Sequence, residues 1–181
     1  MSSDADARCL ETFPEWLRTL GTDIEVLAAA LADDATPDGA RRVLAAGLNY
    51  VFKSVDLIPD GIDDIGYLDD AFVLRVSSAL ALAAGLSSEG HGAVAALAAD
   101  ASLVRDFLAA DAPRLERYVA ALPKGSARGR SVDDIVAQPG VRAELLNDVR
   151  GFSRDYASPP FAREERTLIK LRAFFDARLP R

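Results

Sequence analysis

Asp56-Leu57-Ile58-Pro59-Asp60-Gly61-Ile62-Asp63-Asp64-Ile65-Gly66-Tyr67-Leu68-Asp69-Asp70 sets six aspartates, two glycines and a proline between two apolar segments, and holds no basic residue. Pro59 removes a backbone donor and pushes Ile58 out of the α region, so the preceding helix ends by Val55. Asp56 can fold its carboxylate onto the amides of residues 57, 58 and 60 as an Asx-turn or helix cap, with Pro59 near the first helical position. Asp60, Asp63 and Asp64 repeat the device one turn on. Asp69 and Asp70 then open a second apolar helix, where acidic side chains face the positive end of the dipole. Leu57, Ile58, Ile62, Ile65 and Leu68 are too apolar for a solvated loop. The stretch predicts a buried elbow between two helices, with an acidic cap at each bend.

Outward from the elbow, Ala40–Lys53 carries Leu44, Leu48, Val51 and Phe52 on one helical face, with Arg41, Arg42, Asn49 and Lys53 off it. Asp69–Gly85 carries Phe72, Val73, Val76, Leu80 and Ala83, and Gly85 fits a helix C′ position. Upstream, residues 1–7 predict disorder. Phe13–Asp33 predicts a helix that Gly21 can split, followed by a turn in which Thr36 or Asp38 caps the next helix. Downstream, Ala93–Ala110 reads as a weaker, alanine-rich helix, or as two short ones broken near Asp100, and Pro113–Leu122 as another. Pro123–Arg130 has linker composition. Ser131-Val132-Asp133-Asp134 caps a short helix. Gly140–Tyr156 and Phe161–Leu179 read as two long helices split by Ser158-Pro159-Pro160. The expected fold is an all-α bundle of about seven to nine helices organised around the hairpin. Residues 1–123 would form the main domain, with its core block at 40–86. A linker-like segment at 124–130 would lead to C-terminal helices, 131–181, packing on the same domain.

Composition narrows the function. The chain has 181 residues, half of them hydrophobic, and a net charge of −7 from 28 acidic and 21 basic side chains. Setting the six elbow aspartates aside leaves 22 acidic against 21 basic, so the acidity is local and no general nucleic-acid binding is expected. Cys9 is alone, which precludes an intrachain disulfide and fits a reducing cytoplasm. The start (Ser2, Ser3, Asp4, Asp6) lacks an apolar h-region and predicts no secretory signal. The longest apolar run, Ala71–Leu86, is broken by Arg75 and two serines and is too short for a membrane span.

Leu48-Asn49-Tyr50-Val51-Phe52-Lys53-Ser54-Val55-Asp56-Leu57-Ile58-Pro59-Asp60, continued by Gly66-Tyr67-Leu68-Asp69-Asp70, resembles the YkvA-like domain of unknown function. That pattern is a helix ending in Tyr, then Pro-x-Asp-Leu-Ile-Pro-Asp, then Ile-Pro-x-x-Gly-Tyr-x-Asp-Asp opening the next helix. Asp56, Pro59, Asp60, Gly66, Tyr67, Asp69 and Asp70 match it as structural motif residues. Ser54 departs from it, as do Asp63 and Asp64 around the second expected proline. The resemblance implies a helical hairpin and frequent proximity to membrane segments, and brings no activity.

Several chemistries compete for these residues. Asp56, Asp60, Asp69 and Asp70 can bind Mg²⁺ or Ca²⁺, which want several carboxylate oxygens, or they can all be caps; the EF-hand spacing is absent. Asp63-Asp64 with Asp69 also resembles the first aspartate-rich motif of isoprenoid synthases, without a second one. His91, the only histidine, sits in a glycine loop with no nucleophile elbow to serve. Lys53 and Arg75 are the nearest counter-charges or else surface residues. Phe161–Arg181, basic and aromatic, can be a core helix or can lie on an anionic membrane. The leading expectation is a non-enzymatic helical scaffold without cofactor, cytoplasmic or peripheral on the inner face of a membrane, with a protein or membrane surface as partner. The alternative is a Mg²⁺-dependent enzyme acting on a phosphorylated substrate. A basic pocket beside the carboxylates favours the enzyme, and carboxylates spent on backbone amides favour the scaffold.

Overall fold

The computed structural model describes residues 4–181. The helices are α1 (Asp4–Ala32), α2 (Asp38–Tyr50), α3 (Leu68–Ala83), α4 (Gly92–Leu108), α5 (Ala112–Ala121), α6 (Val132–Ala137), α7 (Pro139–Asp155) and α8 (Glu165–Arg178). The only strands among these residues are β1 (Ser126–Ala127) and β2 (Arg130–Ser131), an antiparallel pair. The fold is all-α, as the apolar periodicity predicts.

α3 is the central element, flanked by α2 and α4, with α1 packed across all three. Its residues from Leu68 through Ser78 are all buried, so its apolar surface is a full cylinder rather than a stripe. α2 comes close to it because Gly47 has no side chain: a Cβ there would lie 2.5 Å from the Ser77 hydroxyl oxygen. The aromatic centre joins four helices. The Phe13 ring lies 5.2 Å from Phe72 and 5.0 Å from Phe107, and Phe72 stacks on Phe175 at 5.1 Å. Arg75, 1% exposed, lies over the Trp16 ring at 4.0 Å and binds Asp23 Oδ2 at 3.1 Å and Asp100 Oδ2 at 3.4 Å. It is therefore a bolt between α1, α3 and α4, and it does not serve the elbow as a counter-charge.

Several local expectations need correction. α1 starts at Asp4, inside the stretch expected to be disordered; residues 1–3 lie outside the described residues. It runs unbroken through Pro14 and Gly21, because burial of Cys9, Phe13, Leu17 and Leu20 outweighs the local cost of the two breakers. Gly21 instead admits α7, whose Ser153 would contact a Cβ there at 3.4 Å. Thr36 does not cap α2; its hydroxyl donates to Ala30 O at 2.6 Å and closes α1. Arg41 is buried and donates to the carbonyls of Asp33, Asp34 and Thr36 at 3.1–3.3 Å, neutralising the negative end of α1. α4 is continuous past Asp100. His91 precedes it, with Nε2 3.1 Å from Asp33 Oδ2, so it is tied down rather than loose.

Other local signals hold. Gly85, at φ +97°, closes α3 through its own N–H to Leu82 O and the Leu86 N–H to Ala81 O, the paired bonds of a Schellman end. Ser131 caps α6 by accepting from the Asp134 N–H at 3.0 Å. Residues 124–130, linker-like in composition, carry the hairpin instead, with the Arg130 carbonyl accepting from Asn49 Nδ2 at 3.1 Å.

α8 turns most of its apolar residues inward: Leu168, Leu171 and Phe175 are buried, as is Leu179 just after it, whereas Ile169 is exposed, and Arg172 Nε donates to Phe107 O at 3.1 Å. Its hydrophobic face is thus committed to the core. Phe175→Ala is expected to cost about 3–5 kcal/mol in urea unfolding, because it deletes a stacked ring and leaves a void against Phe72. A loss under about 1 kcal/mol would show that α8 is an appendage rather than a core helix.

Candidate functional site: the elbow and its cavity

α2 ends at Tyr50 in two tight turns, with the Phe52 N–H on Asn49 O and the Lys53 N–H on Tyr50 O. The chain then passes through Asp56 and dives, burying Leu57 and Ile58 completely. That burial strands two backbone amides away from water, and each needs an acceptor. Asp56 supplies neither. The Leu57 N–H donates to the Tyr50 hydroxyl oxygen at 2.9 Å, and the Ile58 N–H donates to Asp69 Oδ2 at 3.0 Å. The Tyr50 hydroxyl in turn donates to the same Asp69 oxygen at 2.6 Å. The cap is therefore a relay from the end of α2 to the start of α3, and Asp69, fully buried, is its anchor.

This corrects the role expected for Asp56. It stands half-buried beside the bend with its Oδ1 unpartnered among the described residues. Burial, with Asp69 and Asp60 nearby, pushes its carboxyl up to about 7, against a smaller opposite pull from Lys53. Pro59 and Asp60 are exposed; Asp63 is exposed too, and its carbonyl accepts from Lys170 Nζ at 3.2 Å. Gly66 is required by a close approach. A Cβ there would fall 2.3 Å from Asp60 O and 3.0 Å from Ile62 O. Tyr67 takes φ +65° to enter α3, a costly conformation for a tyrosine. Its ring is held edge-on by Tyr156 at 5.4 Å and Phe152 at 6.0 Å.

The two aspartates of α3 divide their labour. Burial pushes the Asp69 carboxyl up to about 6, against the two hydrogen bonds it accepts, which favour its ionised form. Asp70 is 2% exposed, has an unpartnered Oδ1, and feels Asp69, Asp60 and Asp56; burial first and these charges next push it well above the ordinary carboxylate range. Both carboxyls are thus pushed toward the protonated form, Asp70 the more strongly. Among the described residues no group of three or more His, Cys, Asp or Glu side chains is placed to hold a metal ion.

Outside the bend lies a cavity of about 540 Å³. Its walls are the elbow rim (Lys53 to Leu57), Tyr118 of α5, the hairpin (Ser126 to Gly129) and Arg178 of α8. Lys53 Nζ sits 5.7 Å from the centres of both the Tyr50 and the Tyr118 rings, so the relay tyrosine also positions a cation. Burial, and then Asp69 and Asp56, push the Tyr118 hydroxyl up to about 12, so it stays protonated. The hairpin turns through Arg128 at φ +49° and Gly129 at φ +74°, the left-handed pair that two-residue hairpins need. Sequence spacing missed this wall, because its parts come from four separated segments; the Arg-Gly in a basic stretch was the only hint.

Two measurements test the relay. Tyr50→Phe leaves the Leu57 amide unpaired in an apolar setting and should cost about 1–3 kcal/mol; Asp63→Ala should stay within about 0.5 kcal/mol. Equal effects in urea unfolding would sink the relay as the elbow's fastener. The second is pH. A carboxyl with a raised folded pKa keeps a proton that the unfolded chain has released. Its contribution is full below about pH 4 and fades as pH rises through the folded value, about 7 for Asp56. Stability should therefore fall between pH 5 and pH 8, and Asp70→Asn should flatten the slope by up to about 1.4 kcal/mol per pH unit. A profile rising over that interval would contradict the assignment.

A family model described as protein of unknown function (DUF1232) matches residues 40–75, the span from the middle of the first turn of α2 to Arg75 in α3. No curated protein and no solved structure matches the chain.

Proposed function

We propose that this chain is a YkvA-like helical domain that works by binding rather than by chemistry, an interaction scaffold in a reducing cytoplasm. The observation that carries the reading is the use of Asp69 Oδ2 and the Tyr50 hydroxyl, which are spent on the Leu57 and Ile58 amides and on each other, while Asp69 Oδ1 has no partner among the described residues. A Mg²⁺-dependent enzyme would need several of those carboxylates turned toward one open point. Here the motif builds a rigid bend that projects a rim, Ser54-Val55-Asp56, with Val55 75% exposed. The partner meets that rim and the cationic cavity behind it, as a protein or as an anionic membrane surface. Among the described residues no helix is long and apolar enough to cross a membrane. Cys9 is buried, and its thiol is pushed up to about 11, which keeps it unreactive.

Thermal unfolding with millimolar Mg²⁺ or Ca²⁺ tests the reading. The melting temperature is expected to stay constant to within about 1 °C, whereas a cation at a hundred times its Kd would add about 2.7 kcal/mol and raise it by several degrees. Such a rise, lost in Asp70→Asn, would return the site to metal chemistry.

A further inference from the structure

The cavity beside the elbow is electrostatically out of character for this protein. The chain carries a net charge of −7, yet the cavity gathers Lys53, Arg128 and Arg178 against a single carboxylate, Asp56. The three cations come from separate parts of the fold: the turn after α2, the hairpin and the last turn of α8. Among the described residues neither Lys53 nor Arg178 is in an ion pair, and Arg128 has only an exposed contact with Asp148 at 3.3 Å. Such charges are normally dispersed or paired, since like charges repel and each gains from a carboxylate nearby. Two of them are also positioned. Lys53 is braced by the rings of Tyr50 and Tyr118, and Arg128 lies 4.8 Å over Phe52. Ser54 and Ser126 add hydroxyl donors to the same wall. Planar guanidinium forks, an ammonium and hydroxyls are the donor set that tetrahedral oxyanions take.

We propose that this cavity is a binding site for the phosphate group of a phosphorylated small molecule or lipid headgroup, held by Lys53, Arg128 and Arg178 with Ser54 and Ser126 completing its shell. The proposal deepens the binding-domain reading, and rests on it for the ligand leaving unchanged. Lys53 and Arg178 supply charge from the turn after α2 and from the end of α8, Arg128 adds a third cation from the hairpin, and Asp56 limits affinity by repulsion. The cavity volume, about 540 Å³, suits a small phosphate ester.

Phosphorus NMR of glycerol 3-phosphate titrated with the full chain tests this. Expected are broadening and a shift of the ester resonance, affinity weakened about tenfold in Lys53→Gln or Arg178→Gln, and affinity strengthened in Asp56→Asn. Arg18→Gln, the same charge change on the exposed face of α1, should leave it unchanged. No perturbation at tens of millimolar, or an equal loss in Arg18→Gln, would overturn the site while leaving the binding-domain reading intact. Conversion of the ester to inorganic phosphate, sensitive to Arg178→Gln, would keep the site and overturn the non-enzymatic reading. Sedimentation with phosphatidylglycerol vesicles, compared with phosphatidylcholine, separates the two sources. Retention lost in Arg178→Gln assigns the headgroup; ester binding without retention assigns the soluble compound. Both uphold the phosphate site.

Discussion

The buried carboxylate of Asp69 is the constraint on which the elbow depends. A charge buried at the start of α3 is tolerable only with donors around it, and the protein supplies the Tyr50 hydroxyl and the Ile58 amide. Those donors come from the end of α2 and from the loop, so satisfying one charge fixes the positions of three segments. The Tyr50 ring, held by its hydroxyl, then meets Tyr118 edge-on at 6.2 Å and carries Lys53 on its face. Cavity geometry thus descends from a hydrogen bond at the back of the elbow.

Asp70 shows the opposite solution to the same difficulty. Its Oδ1 has no partner among the described residues, and burial pushes its carboxyl well above the ordinary range, toward the neutral form that avoids most of the desolvation cost of a charge. Adjacent carboxyls in one helical turn are therefore shifted to different degrees, because their surroundings differ. The acidity that a formal count assigns to this stretch overstates the charge that the folded domain carries there.

The sequence was legible wherever the deciding forces were local. The two apolar helices, the break before Pro59, the glycine end of α3 and the serine cap of α6 follow from spacing and from backbone chemistry near each residue. Asp56 was misread because capping rules look a few residues ahead, and the amides it was expected to serve were taken by Tyr50 and by Asp69, beyond the reach of those rules. Arg41, Asn49 and Arg75 fell outside the apolar stripes, yet each is buried on carbonyls or carboxylates from other elements. Long-range polar partners leave no periodic trace. The cavity shares that fate: its cations lie on segments whose proximity only the folded chain reveals.

A segment joining two helices ordinarily exchanges its amide protons early, since loops open at little cost. At Leu57 and Ile58 the acceptors belong to Tyr50 and Asp69, side chains rooted in α2 and α3. Those two protons can reach water only when the helices part. The elbow, a loop by backbone shape, is thereby placed in the same cooperative unit as the core it connects, and its exchange clock runs at the pace of the hairpin's separation.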